Sequence, residues 1–225
     1  MESRDIAGGA PSAAIVPVAR LVGATVILDD RPVLRAIDME LRPGITVLRG
    51  PNGSGKTTAL RALAGLLPLA RGDRDVPADV LYLGHRPQLL HGLTARENLA
   101  FFSRFRGPTS RVADVADGRG SRVDEALARW GLGADARRPV ERLSAGQRRR
   151  AALARLDTET CALALLDEPF AELDDEASAL LRSTLAQLAG MGGAIVVASH
   201  GHHEIDDDAA RVYTLRDGSA EASPR

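Results

Sequence analysis

The chain has 225 residues, 44% of them hydrophobic and 26% charged, and its 29 basic and 30 acidic side chains nearly cancel, to a net charge of -1. That length suits a single domain with a sizeable core, and the composition excludes a largely disordered protein. Balanced charge with only 3% aromatic residues argues against a nucleic-acid partner, and one cysteine, Cys161, excludes an intrachain disulfide.

In chain order, residues 1–14 are rich in Gly, Ala and Ser and read as a loose tail. Glu2 and Asp5 before a short, Pro-interrupted apolar patch make a poor signal peptide. Residues 19–28 and 33–41 read as strands, the second alternating imperfectly, and Pro43-Gly44 marks a turn. A short buried strand at 45–48 leads into a Gly-rich loop and a helix from Lys56 to about Leu66. Residues 80–83 form a further buried strand, and the intervening segment 67–79 is short. Thr94-Ala95-Arg96-Glu97 is a capping box, which predicts a helix to about Phe105. A Gly, Asp and Arg-rich loop (107–121) and a second helix (122–130) follow. Ser144-Ala145-Gly146-Gln147 is again a capping box, opening a helix to about Leu156. Strand 162–166, helix 174–188, strand 194–198 and strand 211–215 complete the chain. Alternating strands and helices imply a largely parallel sheet covered on both faces, with a helical block at about 93–143 inserted.

No stretch reaches the ~18 apolar residues of a membrane span, so a cytosolic protein is expected, with any membrane role arising through a partner. Cys161 opens an apolar run and is expected to be a buried, inert thiol. Arg148-Arg149-Arg150 reads as a solvated helix face with some domain contacts.

Gly50-Pro51-Asn52-Gly53-Ser54-Gly55-Lys56-Thr57 matches the spacing of a P-loop in full, between a strand and a helix. Glycines let backbone amides point inward at phosphate oxygens, and the helix N-terminus adds positive potential. Lys56 would bridge the β- and γ-phosphates of ATP, the Thr57 hydroxyl would ligate Mg²⁺, and Thr58 would add a phosphate contact. Asp167 ends an apolar strand, where its carboxylate would hold Mg²⁺ through water. Glu168 follows directly, in place to polarise the attacking water as general base. His200 ends another apolar strand, at the end where α/β proteins place ligands. Its neighbours His202 and His203 suggest a metal site, but no clear acidic or Cys set completes one.

The ordered set of P-loop, Leu143-Ser144-Ala145-Gly146-Gln147, Asp167-Glu168 and His200 resembles the ATP-binding subunit of ABC transporters. The resemblance implies a P-loop NTPase fold, α/β, with a mainly parallel sheet core, an N-terminal antiparallel β subdomain and an inserted helical subdomain. It also implies that Ser144 and Gly146 bind the ATP held by a second ATPase subunit, in a homodimer or a heterodimer. By the same resemblance His200 contacts the γ-phosphate, and a separate transmembrane permease holds the subunit at the cytoplasmic face of the membrane. For the family's Q-loop residue, the spacing back from Leu93-Thr94 points to His85 as a hydrogen-bonding or Mg²⁺-ligating group, and Gln88 is the nearest glutamine. The aromatic that the family stacks on adenine is missing, with Ile27 and Leu28 nearest its place, and the family's hairpin within 67–79 is expected to be trimmed.

Within the family the chain is most similar to the haem-exporter ATPases of cytochrome c maturation. Tyr82-Leu83-Gly84-His85, the 93–99 segment, Leu143-Ser144-Ala145-Gly146-Gln147 and Leu166-Asp167-Glu168-Pro169-Phe170 carry that similarity.

Overall fold

Two sheets flank one short helix, and the residues that carry chemistry gather where the larger sheet meets that helix. The computed structural model describes residues 16–105, 122–199, 205 and 210–223. The smaller, antiparallel sheet joins β1 (Ala19–Leu28), β2 (Arg31–Leu41) and β4 (Arg71–Asp75) in the order β2-β1-β4. The larger sheet is built from β3 (Gly44–Arg49), β5 (Val80–Leu83), β6 (Leu163–Asp167), β7 (Ala194–Ala198), β8 (Ala210–Arg216) and β9 (Ser219–Ala222). Its order is β5-β6-β7-β3-β8-β9, and all neighbours are parallel except the final pair.

β6 and β7 are buried along their whole length, which is why both read as unbroken apolar runs. Helix α1 (Lys56–Leu63) packs against both sheets, and its Ala59, Leu60 and Leu63 share one core with Leu21, Leu34 and Ile37 of the antiparallel sheet. A second core covers the opposite face. There Leu181 and Leu185 of α6 (Asp175–Gly190) join α2 (Ala95–Phe105), α3 (Arg122–Arg129), α4 (Ala145–Leu153) and α5 (Arg155–Thr158). Because β5 pairs directly with β6, everything between Leu83 and Leu163 forms one long crossover that carries these four helices.

Two strands escaped the sequence. β4 is Arg71-Gly72-Asp73-Arg74-Asp75, exposed at every position, so no apolar pattern announces it, and segment 67–79 keeps a strand after all. β9 is a short antiparallel edge after a turn through Asp217 and Gly218. The uneven alternation of β2 has a physical cause. Ala36 adopts φ 49° at an irregularity in the pairing with β1, so Leu34 and Ile37 both turn inward although three positions apart. The expected 144–156 helix divides at Ala154 into α4 and α5. Both capping boxes form: Ser144 accepts from the Gln147 amide while the Gln147 side chain accepts from the Ser144 amide, and Thr94 and Glu97 exchange the same pair. Cys161 is half-buried rather than fully enclosed, because it precedes β6 instead of lying within it.

Candidate active site

The loop after β3 takes its shape from glycine. Gly50 sits at φ 146°, where an added Cβ would lie 2.3 Å from the carbonyl oxygen of Leu215 and 2.6 Å from Ser54 Oγ. Gly55, at φ 105°, is the N-cap of α1, and no side chain caps that helix. Its first amides are therefore available to an anion, as at other phosphate-binding helix N-termini. Pro51, Asn52 and Gly53 form the exposed rim, Ser54 is buried with its Oγ unpartnered, and Thr58 is half-buried in the first turn.

Lys56 is only 6% exposed, and its ammonium donates to the carbonyls of Gly50 and Pro51 at 2.7 and 3.0 Å. Burial pushes its pKa below the ordinary lysine value, and the nearby negative charges of Glu168 and Asp167 oppose that shift. Thr57 Oγ1 donates to Asp167 Oδ1 at 3.2 Å. Asp167 is 1% exposed, and its Oδ2 is buried without a hydrogen-bond partner. A buried, unsatisfied carboxylate oxygen beside a threonine hydroxyl is a hard-oxygen donor set, and it fits Mg²⁺.

Glu168 stands immediately beyond β6 with φ 49°, a left-handed conformation costly for a residue with a side chain. Its amide donates to the carbonyl of Ala198 at 2.8 Å, which ties it to the end of β7. His85, 60% exposed, brings Nδ1 to 3.1 Å from Glu168 Oε2. The histidine thus lies against the glutamate rather than against the Thr57–Asp167 pair, and Gln88 is exposed. Lys56, Thr57, Asp167, Glu168 and His85 come together at the C-terminal ends of β3, β5 and β6. Ser144 and Gly146 stand apart from them, at the start of α4. Ser144 is exposed, and a Cβ on Gly146 would lie 2.9 Å from the Glu172 carbonyl oxygen. His200, His202 and His203 lie outside the described residues.

Arg149 corrects the reading of the three-arginine run as a solvated face. Its guanidinium is 2% exposed and donates to backbone carbonyls of Gly84, His85, Asp167, Glu168 and Pro169. Burial works against its charge, offset by Glu172, Asp167 and Glu168. Arg148 and Arg150 stay half-buried and cap nearby carbonyls, those of Leu143 and Trp130. Helical spacing held the missed signal: Arg149, Ala152 and Leu153 fall at i, i+3 and i+4 on one inward face.

Comparison with known proteins adds ancestry to this geometry. The sequence profile of the family described as "ABC transporter" matches residues 34–171. The chain is 44% identical over 158 residues to the cytochrome c biogenesis ATP-binding export protein CcmA of Paracoccus denitrificans, covering 70% of each chain. It is 43% identical over 194 residues to the protein of the same name from Bordetella bronchiseptica, covering 80% of this chain and 83% of that one. Among solved structures, a dimeric ATP-binding cassette bound to ADP and Pi in a post-hydrolysis state superposes with a TM-score of 0.80 at 23% identity. It covers 92% of this chain and 99% of the other.

Proposed function

We infer the working of this chain from its family: it belongs to the ABC transporter family, among the cytochrome c biogenesis ATP-binding export proteins, and it is an ATPase. The proposal is that two ATPase subunits close head-to-tail around two ATP molecules and drive a separate transmembrane permease. The observation that carries it is the Asp167–Glu168 pair, set opposite Lys56 and Thr57 with one buried carboxylate oxygen left unsatisfied.

In this scheme the amides of residues 50–58 and the N-terminus of α1 receive the phosphates. Lys56 exchanges the Gly50 and Pro51 carbonyls for the β- and γ-phosphate oxygens. Thr57 and Asp167 would hold Mg²⁺, which would supply positive charge against the phosphates. Glu168 accepts the proton of the attacking water. The His85 contact with Glu168 favours a role in aiming that carboxylate over a role as metal ligand. Ser144 and Gly146 meet the γ-phosphate of the other subunit's ATP, and His200 meets that of its own. Support for this pairing comes from the exposure of Ser144 and from the dimeric state of the superposed cassette.

The membrane partner would dock in the groove of about 530 Å³ where Leu93, Ala100, Phe101 and Phe105 are bordered by Arg96, Glu97 and Arg104, and a permease segment would cover its two exposed phenylalanine rings. Among the described residues no helix is long and apolar enough to cross a membrane, so this surface would hold the chain at the cytoplasmic face. The names of the relatives support an export role in cytochrome c biogenesis, and the sequence resemblance to haem-exporter ATPases suggests haem as the cargo.

The test is Glu168→Gln. Turnover should fall by about three orders of magnitude, as on loss of a general base, while ATP still binds and a nucleotide-loaded dimer accumulates on size exclusion. A monomer that hydrolyses ATP at the normal rate would overturn the scheme.

A further inference from the structure

We propose that Arg149 is the positioning residue that holds Glu168 and the His85 loop in register for hydrolysis and ties both to the helix that begins at Ser144. This rests on Glu168 being the general base, and it goes further by naming what fixes that base. A guanidinium carries five N–H donors in a rigid planar fork. In Arg149 all five are engaged, and all five acceptors are backbone carbonyls. Nε donates to Pro169 at 3.3 Å, Nη1 to Gly84 and His85 at 2.9 and 3.1 Å, and Nη2 to Asp167 at 3.0 Å and to Glu168.

These carbonyls belong to two segments far apart in sequence that leave neighbouring strands. β5 and β6 pair in parallel with Leu83 opposite Leu166, so the turns that follow them lie side by side. Arg149 spans both. One turn delivers His85 to Glu168 Oε2 at 3.1 Å, and the other carries Glu168 itself in its left-handed conformation. That conformation is therefore held from two sides, by Arg149 on the Glu168 carbonyl and by Ala198 on its amide.

The guanidinium also belongs to α4, whose N-cap is Ser144. Arg149 lies five residues, or about 7.5 Å, further along the helix axis. A shift of α4 when its first turn engages the other subunit's nucleotide is then delivered to the backbone that carries Glu168. The arrangement links closure of the dimer to placement of the base.

Lysine keeps the charge but has three donors on one atom and no planar fork, so it cannot reach all five of these carbonyls and loosens the clamp between the two turns. The experiment compares the full chain with its Arg149→Lys and Arg149→Gln variants, reading thermal melting, binding of a fluorescent ATP analogue, and KM and kcat with Mg²⁺-ATP. We expect binding and KM within about twofold of the parent. The value of kcat should fall about a hundredfold, the cost of a roughly 1 Å misplacement of a catalytic group. Adding Glu168→Gln to Arg149→Lys should then cost far less than it costs in the parent, because the base is already displaced.

Parent-like kcat in both variants overturns the proposal, as do fully additive losses. Loss of folding and nucleotide binding in both variants also overturns it, in favour of a purely structural arginine. Should Glu168→Gln alone leave turnover intact, the assignment of the base fails and takes this proposal with it, an outcome visible without any Arg149 variant.

Discussion

A methyl group on Gly50 would meet the Leu215 carbonyl at 2.3 Å, from a backbone angle of φ 146° that residues with side chains avoid. Gly50→Ala must therefore move either the loop or β8, and Leu215 is fully buried. We expect a loss of about 3 kcal/mol in urea unfolding, together with loss of nucleotide binding, since relief of the clash distorts the phosphate loop. A variant as stable as the parent would show that the loop is softer than its contacts imply. At this scale the P-loop and the Asp167–Glu168 pair were legible because their chemistry demands particular residue types at fixed spacing. The contact of His85 with Glu168 was not, since a histidine near a turn has many uses and only the side-by-side ends of β5 and β6 select this one. Arg149 was hidden by its neighbours: three arginines in a row look alike until the helix phase turns one inward.

The start of α4 has two explanations that operate at the level of the element. Its capping box satisfies the helix end with no ligand, and its exposed first turn is the part proposed to meet a second subunit's nucleotide. Substitution at Ser144 separates them. Ser144→Ala removes the cap and should cost about 1 kcal/mol of stability. Ser144→Asp keeps a good cap, so its melting temperature should stay near the parent's, yet it places a carboxylate where a γ-phosphate is to bind. We expect that variant to bind ATP as a monomer and to lose most of its turnover. Full activity with Asp at this site would leave only the local explanation. Elements with strong apolar patterning were legible nearly to the residue, β1 and β7 among them. β4 and β9 were not, because their place comes from backbone pairing to a neighbour already in position rather than from apolar side chains of their own.

Across the whole molecule, the candidate catalytic groups gather at strand ends and the start of α1, while the proposed docking groove lies out on the helices of the long crossover. The site closes the ends of β5 and β6, while Phe101, and Phe105 at 79% exposure, mark the outer side of α2. Stacked at 6.0 Å between ring centroids, these two rings form an apolar face that water would otherwise cover. Phe101→Glu should leave basal ATPase activity of the isolated chain unchanged and abolish co-purification with a permease from native membranes. A haem absorption band should accompany the intact complex and be absent from the variant. Retention of the permease by Phe101→Glu would move the docking surface elsewhere. The parallel sheet and its helical insertion were readable from strand–helix alternation, but the pairing of β5 with β6 across that insertion is a long-range choice that no local pattern encodes.

β4 has a further consequence, for how this chain behaves in a crowd. It is the open border of the antiparallel sheet, and an open border offers unpaired amides and carbonyls to any passing strand. Its Arg and Asp side chains, with Arg20 reaching Asp75 at 3.1 Å, surround that border with mixed charge. A strand with no apolar residue to bury thereby acts as a guard against aggregation, protecting the chain before it meets the membrane partner proposed for it.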